Sequence, residues 1–328
     1  MAEYSIIKLK NLSPIHIGMG RESHDFSNAV LHSDAITAAL AAMKAQRGEK
    51  EFIYDFMQSF KMSSAFPFFK DELFFPTPMG RLNVSIKGKE EHQYRKSLKK
   101  AKYASFPIWK KLIKGERLEL EEWQLKEGFI TNNAGQKDMN ICQTQVNERV
   151  GVPRDNTDDS EPFFFEWNYF NQDAGLFVMT DATGAVLQET YELFEMLGQQ
   201  GIGTDKSVGG GKFDVEIGDT ISFEPTKGAK AQMLLSLYIP TEEELARINL
   251  EESSYQLVLR GGFIAGSSHE QFKHLRKKSV YMMEVGSVFY TSEPIEGKIV
   301  NLRPEWNDEK LHPVYRSGKA LSIPIKID

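Results

Sequence analysis

Cysteine is nearly absent from this 328-residue chain: Cys142 stands alone. That excludes an intrachain disulfide and any cysteine-based metal cluster, and it fits a reducing cytoplasm. The seven histidines do not fill the gap, since His269 and His274 lie five apart without companions at zinc spacing. No metal or cofactor is expected. Long apolar runs are also missing. None approaches the ~20 residues that span a bilayer, and Met1-Ala2-Glu3-Tyr4 lacks the basic and apolar regions of a signal peptide. The expectation is a cytoplasmic protein. No Gly-x-Ser-x-Gly nucleophile elbow occurs. The RRM consensus is missing too, so an RRM-like fold here would not read RNA with the usual sheet aromatics. The paired carboxylates Asp158 and Asp159 fall in a stretch that reads as a solvated loop.

What is present is a chain able to bury real cores. Apolar residues make up 41%, including 22 Phe and 4 Trp, which is unlike a disordered segment. The length predicts two packed domains. The formal net charge is −6, with a pI near 5.8, which argues against a protein wrapped all over in nucleic acid. The charge is unevenly spread, however. Lys87 to Arg117 holds eleven Lys/Arg against three Glu, while acid collects at Asp155 to Glu161 and Glu242 to Glu252. Such a chain could present one basic groove together with acidic faces for protein partners.

The segment richest in information is Gly201-Ile202-Gly203-Thr204-Asp205-Lys206-Ser207-Val208-Gly209-Gly210-Gly211-Lys212-Phe213, with five glycines in eleven residues. Glycine permits backbone conformations and close approaches that a Cβ forbids, and the two lysines add charge for an anion. A loop that holds a phosphodiester backbone is one reading; a flexible surface turn is the other. A Walker loop requires Ser or Thr after the Gly-Lys pair, and Phe213 stands there. A dinucleotide fingerprint requires a third glycine where Lys206 sits, and a strand before the loop rather than a helix.

The order Gly-x-Gly, a Lys/Ser segment, then Gly-x-Gly-Lys-Phe resembles the glycine-rich loop of the RAMP superfamily of CRISPR-associated RNA-binding proteins. Leu12-Ser13-Pro14-Ile15-His16-Ile17-Gly18 looks like that superfamily's opening strand and turn, and Leu31-His32-Ser33-Asp34 leading into a helix is similar too. Arg276-Lys277-Lys278 before Gly286-Ser287-Val288-Phe289, then His312-Pro313-Val314-Tyr315-Arg316, resemble the fourth-subunit family of the type III-A (Csm) effector complex. The resemblance runs from about Tyr4 to Ile325 and is weakest between Lys87 and Gly135. It implies a non-catalytic ribonucleoprotein subunit in antiviral defence that caps the 5′ handle of the crRNA. It also implies a large polymerase/nuclease subunit on one side, a backbone RAMP subunit on the other, and target RNA met indirectly. The alternatives are a metal-independent endoribonuclease that cuts CRISPR repeats, or the equivalent RAMP subunit of another subtype.

The expected class is α+β. By the resemblance it takes the form of tandem ferredoxin-like domains, 1–224 and 225–328, with a basic, partly helical insertion near 85–135. Strands are expected at Tyr4–Leu9, Asn140–Val150, Gln232–Ile239, Tyr255–Ile264, Ser279–Val285, Lys298–Leu302 and Leu321–Ile327. Pro162–Phe170 and Gly175–Thr180 read as a hairpin around Asn171–Ala174. Helices are expected at Asp34–Gln46 with Ser33 as N-cap, at Glu51–Phe60 and at Val186–Gln199, with a capping box at Thr241-Glu242-Glu243-Glu244.

The candidate RNA contacts are the loop residues Gly201, Gly203, Lys206, Ser207, Gly209, Gly210, Gly211, Lys212 and Phe213; the turn residues His16, Gly18, Arg21 and Ser23; Arg149 and Arg154; and Arg276, Lys277, Lys278 and Arg316. Arginines pair with phosphates or stack on splayed bases. His16 has two readings, a general base on a ribose 2′-hydroxyl or a histidine hydrogen-bonded in its turn or stacked on RNA. The Lys87–Arg117 run interleaves cations with Tyr94, Tyr103, Phe106 and Trp109, as single-strand binders do, or else it is a solvated helix face. Arg316 reaches a phosphate or a partner carboxylate.

Overall fold

A computed structural model describes residues 2–18, 27, 30–133, 139–151, 161–224, 226, 228–264, 267, 269–291, 293–306 and 308–326. The opening strand, Ala2–Lys10, alternates its side chains between two cores. Ile6 belongs to one core cluster, and Ile7 and Leu9 to the other. This strand pairs antiparallel with Ala174–Thr180 on one side and with Asp214–Ile217 on the other. Ala174–Thr180 in turn pairs with Phe66–Phe69. Counted along the chain, the four strands lie in the order fourth, first, third, second. Helix Ser33–Gln46 falls between the first two and helix Gly184–Gln200 between the last two. That is a ferredoxin-like β-α-β-β-α-β unit. Ile36, Leu40 and Met43 of the first helix and Leu193, Phe194 and Leu197 of the second bury one stripe each against the sheet. Each such side chain removed from water contributes about 1.5–3 kcal/mol.

The C-terminal half repeats the strand order. Ala231–Leu234 lies between Val288–Tyr290 and Ser322–Ile325, and Asn249–Ser254 pairs outside Val288–Tyr290. The first helix of this unit is the short Glu242–Arg247, opened by the expected capping box: Thr241 Oγ1 accepts from Glu244 N at 3.2 Å, and Thr241 N donates to Glu244 Oε2 at 2.8 Å. Among the described residues no helix stands in the second position. The antiparallel pair Gly297–Asn301 and Tyr315–Lys319 occupies that stretch. The α+β class holds, and the second unit keeps the ferredoxin-like sheet while replacing one of its helices.

The halves share a core. Ile6, Phe66, Phe177 and Met179 on one face of the first sheet belong to the same cluster as Met233, Val288 and Ile323 of the second. The insertion caps that cluster. Trp109, on helix Phe106–Ile113, is fully buried, stacks on Phe75 at 4.5 Å and donates its indole N–H to the Pro76 carbonyl at 2.8 Å. Half of the lysine-rich run is therefore structural core. Tyr103 stacks on Phe129 at 5.5 Å, and Phe106 lies 5.2 Å from the Phe75 ring. The other half, helix Glu91–Lys100, turns Lys96, Lys99 and Lys100 to solvent.

Two local expectations are corrected. Glu161–Phe170 does not form a hairpin with Ala174–Thr180; it pairs over its whole length with Cys142–Gly151 as a long two-stranded ribbon. Ala174–Thr180 is buried on both faces and already has two sheet neighbours, so it leaves no edge for a third. Ser33 is the first helical residue rather than the cap. Its hydroxyl accepts the amide of Leu237 at 2.9 Å and ties the helix to the C-terminal half.

Candidate nucleic-acid interface

The glycine loop folds against the opening turn through main-chain bonds. Ser13 N donates to the Lys212 carbonyl at 2.9 Å, Gly211 N to Pro14 at 2.9 Å, and Thr204 N to His16 at 3.0 Å. The Ser13 hydroxyl donates to the Gly209 carbonyl at 2.8 Å and accepts Lys212 N at 2.7 Å. The close approaches the glycines permit are to this chain itself. A Cβ on Gly201 would overlap the Gly210 carbonyl, on Gly203 the His16 carbonyl, and on Gly211 the Ile202 carbonyl; on Gly210 it would stand 2.7 Å from the Trp167 ring. Gly209 alone of the five has open space around it. Most of the loop's amides are likewise engaged: those of Gly201, Ile202, Thr204, Val208, Gly209, Gly210, Gly211, Lys212 and Phe213 all donate within the chain. Among the described residues, the amides of Gly203, Asp205, Lys206 and Ser207 stay unpaired. They cluster at an exposed tip formed by Lys206, Ser207 and Val208, with the exposed Lys212 on the return strand.

The ribbon meets the loop at Arg149. Its guanidinium lies 4.3 Å from the Phe165 ring centre and 5.3 Å from that of Trp167, and it pairs with the Asp205 carboxylate. Asp205 adopts a left-handed conformation, φ 57°, which Asp tolerates better than bulkier residues. His16 packs against Phe165 at 4.4 Å, and its Nδ1 is 2.8 Å from the Glu166 carbonyl. Only 1% of His16 is exposed, so its ring is part of the packing rather than a surface base. Outward from this cluster the ribbon exposes Val146, Val150, Phe163 and Phe164.

The structure thus brings His16, Gly18, Arg149 and the glycine loop to one place. Gly18 faces Thr204 at 3.6 Å, measured from the Cβ it lacks. Phe213 is buried in the helix-side core. Arg21, Ser23 and Arg154 lie outside the described residues. The C-terminal candidates sit on a second cluster. Arg276 is exposed and lies over the Phe263 ring at 4.8 Å, Lys278 pairs with Glu305 at 3.2 Å, and Lys277 is half-buried. Arg316 is 5% exposed and finds its carboxylate inside the chain, at Asp34 Oδ2, 2.5 Å away.

Asp34 is the residue that organises this second cluster. It is fully buried at the start of helix Ser33–Gln46 and also takes Arg260 in a two-point contact, at 2.8 and 3.0 Å. Burial pushes its carboxyl up, but the Arg316 and Arg260 guanidiniums outweigh that and hold it at about 2. Burial and the nearby Arg260 push His32 down to about 4. Arg260, Asp34 and Asp205 were not singled out as site residues. An acid in a helix's first turn was a visible signal for Asp34; the other two are isolated charges in sequence.

Residues 227–325 match the family described as the CRISPR Csm4 C-terminal domain. The chain is similar to the CRISPR system Cms protein Csm4 of Streptococcus thermophilus, 26% identical over 323 residues that cover 95% of this chain and 96% of the relative. It is also similar to the Csm4 of Mycobacterium tuberculosis (strain CDC 1551 / Oshkosh), 27% identical over 202 residues, or 60% of this chain; the match spans 64% of that relative's length. Among solved structures, a chain of the Csm1-Csm4 cassette in complex with cA4 matches at a TM-score of 0.62 and 16% identity, over 99% of both chains. A chain of the Csm3-Csm4 subcomplex from the type III-A CRISPR-Cas interference complex matches at 0.62 and 15%, over 98% of this chain and 99% of that one. At such identities these two likenesses concern the fold. No helix among the described residues is long and apolar enough to cross a membrane. Residues 227–325 are thus similar to the CRISPR Csm4 C-terminal domain, and along its length the chain resembles the Csm4 RAMP subunit of the type III-A effector complex.

Proposed function

We propose that this chain is a non-catalytic guide-RNA-binding subunit of a type III-A CRISPR effector complex. It caps the 5′ handle of the crRNA and bridges the large polymerase/nuclease subunit to the backbone RAMP subunits. The relatives' assemblies, one with Csm1 and one with Csm3, support the two protein partners. The observation that carries the RNA reading is the junction of ribbon and glycine loop. There Arg149 is held by Asp205 beside four unpaired amides, two exposed lysines and the exposed rings of Phe163 and Phe164. Phosphates take the lysines and amides, and splayed bases stack on the aromatics. The glycines act indirectly, since they let the loop pack on the turn and present its tip. The burial of His16 supports the absence of a catalytic role.

The domain division follows the same reading, with 1–224 forming the RNA-facing unit and 225–328 the second. The test is a titration of labelled handle RNA at several salt concentrations with wild type and with Lys206→Gln/Lys212→Gln. Each lost phosphate contact flattens the slope of log K against log salt by about 0.7 for a single strand. The double variant is expected to bind at least tenfold more weakly with a slope flatter by about 1.4. Unchanged affinity and slope, with unchanged melting, would remove the junction from the RNA site.

A further inference from the structure

A groove of about 1550 Å³ opens where the insertion meets the N-terminal and C-terminal units. One wall is built from residues 77–85 and helix Glu91–Lys100, the other from the C-terminal stretches that carry Glu252, Gln256 and Glu284. Main-chain bonds fix the walls against each other, from Met79 N to the Gly286 carbonyl at 2.8 Å and from Lys326 N to Ile113 at 2.9 Å. The groove therefore stands preformed. Its volume exceeds the roughly 300–1,000 Å³ of a small-ligand pocket, which suits a segment of polymer.

The two walls differ in charge. The insertion side carries Arg81, Arg95, Lys99, Lys102 and Arg117 against Glu91 and Glu116. Glu91 is taken by Arg81 at 3.5 Å. The exposed side chains of Arg95, Lys99, Lys102 and Arg117 have no ion-pair or hydrogen-bond partner among the described residues. The far side carries Glu252 and Glu284, with Lys326 as its cation. Glu284 is half-buried and accepts no side-chain hydrogen bond among the described residues; burial pushes its carboxyl up, although Lys102 and Arg260 pull it down. The floor is apolar at Phe66, Val288 and Ile325, and it includes His32, which is 3% exposed and has an Nδ1 without a partner. Buried polar groups in a closed seam find partners within the chain; here His32 and Glu284 have hydrogen-bonding capacity to spare.

We propose that this groove seats an extended acidic segment of a protein partner, with its carboxylates on Arg95, Lys99, Lys102 and Arg117 and its apolar side chains on the floor. Side chains of an extended peptide alternate between its two sides, so one side meets the basic wall while the other meets Glu284 with N–H donors. A nucleic acid fits less well. Glu252 and Glu284 oppose a phosphodiester backbone, and Phe66, Tyr94, Tyr103 and Tyr290 are buried or half-buried, so no exposed ring is offered to a base. That the partner is a subunit of the effector complex rests on the function proposed above; the preference of the groove for an acidic peptide does not.

The experiment compares the isolated chain, the chain with guide RNA alone, and the assembled complex. Carbodiimide coupling joins a lysine directly to a carboxylate in contact with it, and mass spectrometry reads the products. In the complex, Lys99 and Lys102 are expected to couple to Asp or Glu of another subunit, and their acetylation is expected to slow at least fivefold, while the exposed Lys50 changes in neither. Arg95→Glu/Lys99→Glu, on an exposed helix face, is expected to melt as wild type does and to hold that subunit about tenfold more weakly. A wild-type chain that joins no complex refutes the function proposed above. A chain that joins the complex with Lys99 and Lys102 as reactive as in isolation overturns the groove alone, and so does full retention of the subunit by the double variant. Protection of both lysines by guide RNA alone assigns the groove to nucleic acid and overturns the peptide; coupling to a second copy of this chain overturns the partner subunit.

Discussion

Asp34→Asn is the sharpest test of how the two halves are joined. The substitution keeps shape and removes charge, so Arg260 and Arg316 lose the carboxylate that both share. Two independent scales give the magnitude. Asp34 is held at about 2 against an ordinary 3.8, and each unit is worth about 1.4 kcal/mol, which gives about 2–3 kcal/mol at neutral pH. Breaking one side of a buried ion pair costs about 3–5 kcal/mol in general. A loss of about 3 kcal/mol is expected, read by urea unfolding of the full chain followed by tryptophan fluorescence, with Trp109 reporting on the shared core. Because Arg316 contacts the same carboxylate, Asp34→Asn/Arg316→Gln is expected to cost less than the two single changes added. A loss below about 1 kcal/mol, or strict additivity, would refute the argument that this carboxylate anchors the C-terminal half.

Acid stability follows from the same groups. His32 has a folded value of about 4 against 6.5, so the unfolded chain binds more protons between those values and stability falls as pH drops from 6.5 to 4; His32→Gln should flatten urea midpoints in that window. The Asp34 contribution is complete above about pH 4 and is lost as pH falls toward 2, so Asp34→Asn should flatten only that lower window. Gly211→Ala, at φ 67° and against the Ile202 carbonyl, should lower the melting temperature more than Gly209→Ala, at φ 89° in open space; equal melting would contradict the loop geometry. His16→Ala should lower melting without removing any cleavage of labelled repeat RNA, and specific wild-type products absent from the variant would overturn the non-catalytic reading. Charge reversal of Lys99 and Lys100 on their solvated helix face should leave the salt slope of RNA binding within about 0.3, against about 1.4 for Lys206 and Lys212.

The N-terminal unit was legible because its signals are local. The strand expected at Tyr4–Leu9 lies within Ala2–Lys10, and the spacing Leu187, Tyr191, Phe194, Leu197 falls on one helix. Pairing was less legible. Glu161–Phe170 and Ala174–Thr180 are separated by a turn, with Ala174 N donating to Asn171 at 2.9 Å, and nearness in sequence favoured a hairpin. What decided otherwise was long-range. Ala174–Thr180 is the third strand of the ferredoxin-like unit, and its sheet partners come from Ala2–Lys10 and Phe66–Phe69. That no helix stands in the second position of the C-terminal unit among the described residues was hidden for a similar reason, since a strand order is defined by neighbours far apart in the chain.

The site divides along the same line. The glycine segment was visible from composition, but composition does not say what a glycine lets approach, and here the approaching groups are the carbonyls of Ile202, Gly210 and His16. Arg149 and the loop were visible separately; the contact that joins them depends on Asp205, which reads in sequence as one more loop acid. Arg316 and Lys277 lie 39 positions apart and looked alike, each a cation in a basic motif. Burial distinguishes them. Asp34 satisfies Arg316 across 282 residues, while Lys277 stays half-exposed. A sequence reports how many charges a protein carries, and here the total is −6. Function turns on which of them the fold has already neutralised, as Asp34 neutralises Arg316.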